Sequence, residues 1–559
     1  MPEGRIAEGL GDAMEQWRRF GTARMPDNLA YFQQLVDMAD CLAGGRQYET
    51  ACVYASIAAY HAAARHSGIW ASPDLDRILH KIARDTIPDH PPSRPRQARH
   101  RTERVCHVVS QVGAVGGLSK MLERWIKADH GRHHSVILTR QSIVSVPSTL
   151  EEAVAGAHGR IHFIDNMVGG LIKRAQALRK LAAEADVVVL HVHAYDVVPI
   201  LAFATRHRPP VVYLDHADHS FWPGTSIVDV FASMREAGRR LMVDRRGIEP
   251  DRIMMLPTIL DERWRRLSIP EAKLQLGIPQ DRIVLCTVAR ARKYATMGST
   301  TYADFHVPTL QQHPGCTLLA VGPGGKIDWS AASRETGGRV TAIPEQEDTA
   351  KYFQAADIYL DSFPFVSITS VLEAGCYGTP AVSIFPYSNE ALVMGSNMPG
   401  LDGTLVTCRS LDEYQAALSQ LISDPAYRLS LGSKLQTQIE RHHYIQPWLQ
   451  SLEAIYSRSL DIYRESDLIS SKAVFAWTGE PDVFIQAVHG GDPDARRDTD
   501  RLLKFELGVL PLAARLSEWW RLFRLGLLRE SGKYGPAIHL LPEWLRCRLW
   551  RLKRRQPWS

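Results

Sequence analysis

Three groups of residues combine types and spacings that do chemistry. The first lies in 357–384, DIYLDSFPFVSITSVLEAGCYGTPAVSI, where Ser367, Thr369 and Ser370 stand between an apolar run and a helical pattern, with Glu373 one turn further in. A strand end, a hydroxyl-rich turn and a helix N-terminus gather unpaired N–H groups, and such a place holds an anion. Glu373 suits hydrogen bonds from a ribose, or simply complements the helix dipole. In the second group, IVLCTVA runs into RARKYATMG and delivers Arg290, Arg292 and Lys293 to a loop. Cations there neutralise the charge that builds on a departing diphosphate, although a solvated basic loop is the plainer alternative. The third group ends two more apolar runs: His191 and His193 close DVVVLHVH, while His216, Asp218 and His219 close VVYLDHADH. Ligands of open α/β sheets bind outside the carboxyl ends of the strands, so His193, His216, Asp218 and His219 are candidates for ligand contact and general-base work. No third cluster of ligands accompanies them, and no metal is expected.

These residues need a scaffold, and the pattern along the chain supplies one. From 105 onward, short β-branched runs (VCHVVS, SVILTR, DVVVLHVH, PVVYLDH) alternate with helix-length segments, and a second series follows from about 283. This is the grammar of parallel sheets with crossover helices, so the expected fold class is α/β with two tandem Rossmann-like domains. After the first strand, QVGAVGGLSKMLERW places Gly113, Gly116 and Gly117 in a loop opening a helix, where bare backbone lets a ligand approach. The spacing is not that of the dinucleotide fingerprint, and hydride transfer gains little support.

The expected organisation is a helical N-terminal domain over 1–87, a linker over 88–104, a first Rossmann-like domain over 105–265, a second over 266–455, and a basic helical extension over 456–559. Gly44 and Gly45 break the first helical run from the second. The linker, PDHPPSRPRQARHRTER, carries four prolines and five arginines with almost nothing apolar.

The two-sheet chain resembles the GT-B glycosyltransferases over roughly 105–455. The segment CTVARARK, followed by DIYLDSFPFVSITSVLEAGCYGTPAV, is similar to the donor half of the O-linked N-acetylglucosaminyltransferase family, and E-A-G-x-x-G-T-P-A-V with the Gly116-Gly117 loop resembles the retaining GT-B enzymes. The resemblance implies a Lys on the donor diphosphate at Lys293, a Thr-rich turn at Thr369 and Ser370, and an acidic ribose contact at Glu373. Ser367 and Ile368 stand where the family has Gly and His, and Phe365 where the retaining enzymes have a glutamate. The implied activity is transfer of a hexose-type sugar from a nucleotide diphosphate sugar, UDP favoured, to a glycan, lipid-linked or protein acceptor, without metal or other cofactor. A binding scaffold of the same fold, or a sugar-phosphate phosphorylase or epimerase, are the alternatives.

Composition bounds the rest. Of 559 residues, 45% are hydrophobic and 23% charged, as in folded water-soluble proteins. The opening MPEGRIAEGLGDAMEQW has no apolar core of a secretory signal and no run suits a membrane span, so a cytoplasmic location is expected. The eight cysteines show no C-x-x-C pair and read as reduced core residues. Net charge is only +5, yet 501–559 holds 13 basic against 4 acidic residues, an excess of 9. In that tail Leu, Phe and Trp recur among arginines at helical spacing, which suits either an anionic membrane interface on the inner face or helices packed on the body. Interleaved leucines argue against nucleic acid.

Overall fold

The computed structural model describes residues 3–89, 102–114, 116–295, 300–465, 479–489, 495–529 and 535–554. Most of the linker expected over 88–104 lies outside them.

Two parallel sheets form in tandem. The first contains β1 (Arg104–Val109), β2 (His133–Leu138), β3 (Ile161–Phe163), β4 (Val187–His191), β5 (Val211–Asp215), β6 (Val230–Ser233) and β7 (Ile253–Met255), in the order β3-β2-β1-β4-β5-β6-β7. The second contains β8 (Ile283–Val288), β9 (Cys316–Gly322), β10 (Val340–Pro344), β11 (Ile358–Leu360), β12 (Ala381–Ile384) and β13 (Val406–Cys408), in the order β10-β9-β8-β11-β12-β13. In each sheet the order reverses beside its first strand, which opens a crevice at the carboxyl ends. Helices cover both faces, and strands such as Val187-Val188-Val189-Leu190 are accordingly apolar throughout and buried. Seven of the eight cysteines are buried, all are unpaired, and only Cys41 is exposed.

Helical segments outside the sheets tie the halves together. The helix Ile445–Glu465 follows the second sheet yet packs Trp448, Leu452, Ile455 and Tyr456 against Val187, Val189 and Val212 of the first. Burying each such side chain stabilises by about 1.5–3 kcal/mol. The N-terminal helix Glu3–Gly44 ends at the predicted glycine break and spans both halves: Leu10, Trp17 and Met25 join the core of the second sheet, while Phe32, Leu35 and Ala39 join that of the first. The helices Tyr48–Ala64 and Pro73–Thr86 complete this layer, the latter capped by Ser72 accepting from the Leu75 amide.

The basic extension packs on the first half through buried ion pairs. Arg140 pairs with Glu506, Arg174 with Glu543 at 2.6 Å, and Arg551 with Asp165 at 3.1 Å. Among the described residues, no helix is long and apolar enough to cross a membrane.

Candidate active site

The hydroxyl-rich turn of the second half follows β11 directly. The helix Ile368–Cys376 begins just beyond β11, and its preceding turn is fixed by Asp361, whose carboxylate accepts from the Ser367 amide at 2.8 Å and from the Ser383 and Ser396 hydroxyls at 3.0 and 2.6 Å. Ser367 donates through its hydroxyl to Ser370 at 3.1 Å, while Thr369 and Ser370 remain partly exposed at the helix entrance.

Lys293 reaches this turn. Its Nζ donates to the Val366 carbonyl at 2.8 Å and stands 4.5 Å from the centroid of the Phe365 ring. Burial lowers its pKa to about 8, with Asp361 opposing the shift and Arg292, Arg290 and Arg235 adding to it. Among the described residues no carboxylate forms an ion pair with Lys293. A mostly buried cation is costly unless it is paired, and the contacts of Lys293 are a carbonyl and a ring face.

The other donor candidates are placed differently. Arg290 is exposed and pairs with Glu345 at 3.4 Å. Glu373 is buried, and its Oε1 accepts from Arg124 at 3.2 Å, with Arg263 4.0 Å away. Arg124 belongs to the helix Gly117–Ala128 that the glycine loop opens, and also pairs with Asp261. Glu373 thus bridges the two halves. Gly116, at φ +152°, and Gly117 begin that helix, and a side chain added at either would meet open space.

On the first half, the strand-end residues divide. His193 and His216 lie together, ring centroids 6.4 Å apart, with His193 stacked on Tyr195 at 5.4 Å. Burial lowers the His216 pKa to about 4 and lowers His193 as well, so both rings are neutral at pH 7. Asp218 is spent on structure: its two oxygens take the guanidinium of Arg235, at 2.5 and 2.9 Å, and that guanidinium donates onward to the Gly395 and Val393 carbonyls of the second half at 2.6 and 2.9 Å. Burial opposes ionisation of Asp218, but Arg235 outweighs it and holds the carboxyl well below its ordinary range.

His219 faces the second half, 5.4 Å from the Phe365 ring, and 4.4 Å from His489. His489 also meets Phe365 edge-on at 4.1 Å. Burial and the neighbouring His219, Arg292 and Lys293 hold it well below the ordinary imidazole pKa, and its Nδ1 is buried with no partner among the described residues. His489 ends the helix Asp482–His489, which is pinned at its start: the Asp482 carboxylate pairs with His66 at 2.7 Å and accepts from Trp70 at 3.0 Å and from Arg245. Gly21 permits that docking, because a Cβ there would come within 1.9 Å of the Val483 carbonyl.

Strand β4 ends at His191, and the chain turns before His193. His191 is therefore an interior residue rather than a cleft residue. Its Nε2 donates to His107 at 3.0 Å, His107 to His134 at 2.9 Å, and His134 to the Asp129 carbonyl at 2.9 Å. A carbonyl only accepts, which sets the tautomer of every ring in this buried row.

Sequence reasoning missed Arg235, Arg124 and His489. Arg235, two residues past β6, carries the strand-end signal that exposes such a residue. Arg124 and His489 depend on contacts between positions far apart in the chain, which no local pattern marks. Among the described residues no group of three or more His, Cys, Asp or Glu is arranged to hold a metal ion.

The sequence matches no protein-family model and no curated protein. Solved structures do match. HepE from Anabaena, determined in complex with UDP, aligns with a TM-score of 0.51 at 17% identity, covering 63% of this chain and 99% of that one. A glycosyltransferase from Rickettsia africae aligns at 0.50 and 10% identity, covering 64% and 99%. The O-GlcNAc transferase of Thermobaculum terrenum aligns at 0.49 and 15%, covering 76% and 82%. At such identities the likeness is one of fold, and the fold is GT-B: two tandem Rossmann-like halves facing a common cleft, here with helical segments added at both ends.

Proposed function

We propose that the protein is a glycosyltransferase that moves a hexose-type sugar from a nucleotide diphosphate donor to a glycan, lipid-linked or protein acceptor held over the first sheet. The observation that carries this reading is Lys293, a mostly buried ammonium group without an ion-pair partner among the described residues, aimed at a hydroxyl-bearing turn that opens a helix. HepE, of the same fold, was solved with UDP, which makes UDP the first nucleotide to try.

In the reaction, the acceptor oxygen bonds to the anomeric carbon as the bond from that carbon to the diphosphate oxygen breaks. The electron pair leaves on the diphosphate. Lys293, with the Thr369 and Ser370 hydroxyls and the helix N-terminus, neutralises the charge developing there, which makes a metal unnecessary. Arg290 lies beside this group and would swing from Glu345 to join it. Neutral His216, beside His193, takes the acceptor proton, and His219 contacts the acceptor or the sugar. Asp218 contributes through Arg235 as a positioning residue. Gly116 and Gly117 leave room at the cleft for acceptor or phosphate. We place the enzyme in the cytoplasm, in peripheral contact with the inner face of a membrane.

The test is UDP binding by thermal shift, followed by UDP release from UDP-hexoses, in the native chain and in Lys293→Ala. Loss of binding and turnover with the fold intact supports the reading; near-normal turnover in the variant overturns it. A second reading, a nucleotide-binding scaffold without catalysis, is favoured by Glu373 being engaged by Arg124. UDP binding with no release of UDP from any UDP-hexose would select it.

A further inference from the structure

The tail helix Leu512–Arg524 has two unlike faces. One packs on the body: Leu522 is buried, Arg515 donates to the Leu510 and Leu540 carbonyls, and Trp519 donates to Pro536 at 2.9 Å. The other carries Leu512, Leu516, Trp520 and Phe523, at spacings of four, four and three, which puts them on one stripe. Their exposures are 64, 47, 56 and 44%, and Phe505 and Leu525 on the flanking segments are exposed as well. A contiguous apolar stripe turned to water costs free energy and marks a surface that meets something.

We propose that this stripe docks on the surface of an anionic lipid bilayer, lying in the interface rather than crossing it. Three observations choose that occupant. Arg524 and Arg529 are exposed beside the stripe, while Arg521 is paired with Glu518 and Asp500, in a tail that carries 13 basic against 4 acidic residues. It includes an exposed indole stacked near Phe523, with ring centroids 5.9 Å apart, and indole rings favour the boundary between headgroups and acyl chains. It forms the outward face of a helix rather than a groove, so it suits a deformable plane better than an inserted peptide. A second copy of the chain would set the same arginines against one another.

The helix is held firmly enough to act as a docking foot. Glu506, just before it, is paired with buried Arg140, whose guanidinium lies 5.2 Å from the Tyr195 ring, and Tyr195 stacks on His193. The docked surface is thereby joined to the segment that follows the carboxyl end of the central strand β4. The docking itself needs no chemistry in that cleft.

The full chain is sedimented with vesicles of phosphatidylcholine containing a quarter phosphatidylglycerol, and with pure phosphatidylcholine. The expected result is capture by the anionic vesicles, at least tenfold weaker in the triple variant Leu516→Ser, Trp520→Ser, Phe523→Ser. A second variant, Arg524→Glu with Arg529→Glu, leaves the apolar stripe intact and is expected to lose the preference for the anionic lipid. UDP thermal shift, read in parallel, is expected to be the same in all three proteins. Absence of capture of the native chain overturns the proposal, as does capture undiminished in the triple variant. A dimer in sedimentation equilibrium that the triple variant dissolves, without vesicle capture, overturns it in favour of a second copy. Failure of UDP to bind the native chain counts against the transferase reading and leaves the docking result standing.

Discussion

The two halves present charged groups at matching places, just past the carboxyl ends of their strands, and treat them in opposite ways. On the first half Asp218 is buried with a bidentate partner, Arg235, whose remaining donors are taken by carbonyls of the second half. On the second half Lys293 is mostly buried with a single carbonyl and the face of Phe365. The difference says where to test for structure and where for a ligand: a charge paired within the protein is expected to hold the fold, and a buried charge with fewer partners is a candidate for binding.

The strongest way to break this comparison is at the paired site. Asp218→Ala leaves the Arg235 guanidinium buried opposite an empty space, and removing one member of a buried pair costs about 3–5 kcal/mol. Thermal unfolding should show a markedly lower midpoint, with the interface between the halves loosened first; a midpoint equal to the native one would mean that the pair is not structural. At the unpaired site the prediction reverses. Lys293→Met removes a desolvated ammonium group, so the midpoint should stay level or rise, while UDP-hexose turnover falls by roughly two to three orders of magnitude, the usual cost of one donor aimed at developing charge. Unchanged kcat/KM would remove Lys293 from the chemistry.

How much of this could be read from the sequence follows the same division. The α/β alternation, the two sheets and the hydroxyl-rich start of the helix Ile368–Cys376 are local signals, written in apolar runs and in Ser367, Thr369 and Ser370, and the fold keeps these elements. The position of Lys293 at a strand end was legible because it follows β8 within five residues. The partners of charged groups were not. Nothing near Asp218 announces Arg235, nothing near Glu373 announces Arg124, and His489 enters the cleft only because Asp482 is clamped by His66, Trp70 and Arg245, residues hundreds of positions earlier. His191 was misplaced because a run of alternating residues does not show where pairing stops. The tail illustrates the last limit: one amphipathic pattern offered two readings, and the helix Leu512–Arg524 packs one face while exposing the other.

Glu373 sharpens the comparison because it sits between the two cases, paired across the cleft yet on the helix that opens at the anion turn. If it serves the ribose as well as Arg124, Glu373→Gln should weaken UDP by roughly 10–100-fold, the worth of a hydrogen bond to a charged group, and leave inorganic pyrophosphate binding unchanged. Calorimetry on both ligands distinguishes the roles. Equal weakening of UDP and pyrophosphate would make Glu373 a structural bridge only.

The mildest test uses pH and leaves the chain intact. The free Lys293 pKa is lowered to about 8 by burial, so the ammonium form prevails at pH 7 and the amine prevails at pH 9. A bound diphosphate stabilises the ammonium form and raises that pKa, which means that binding above pH 8 must also take up a proton. UDP affinity should therefore be full below pH 8 and fall by about tenfold between pH 7 and pH 9, one decade per pH unit once the free group is neutral. The complementary contribution to folding has the opposite sense: a lysine held neutral by burial loses stability as pH falls from its unfolded pKa toward 8, so the protein without ligand gains nothing from acid while its complex does. Lys293→Arg discriminates this source of pH dependence from any other, because a guanidinium keeps its charge across the range and should flatten the profile even where its altered shape weakens binding overall. A profile that keeps its fall above pH 8 in that variant would assign the titration to another group and leave Lys293 without the role argued for it.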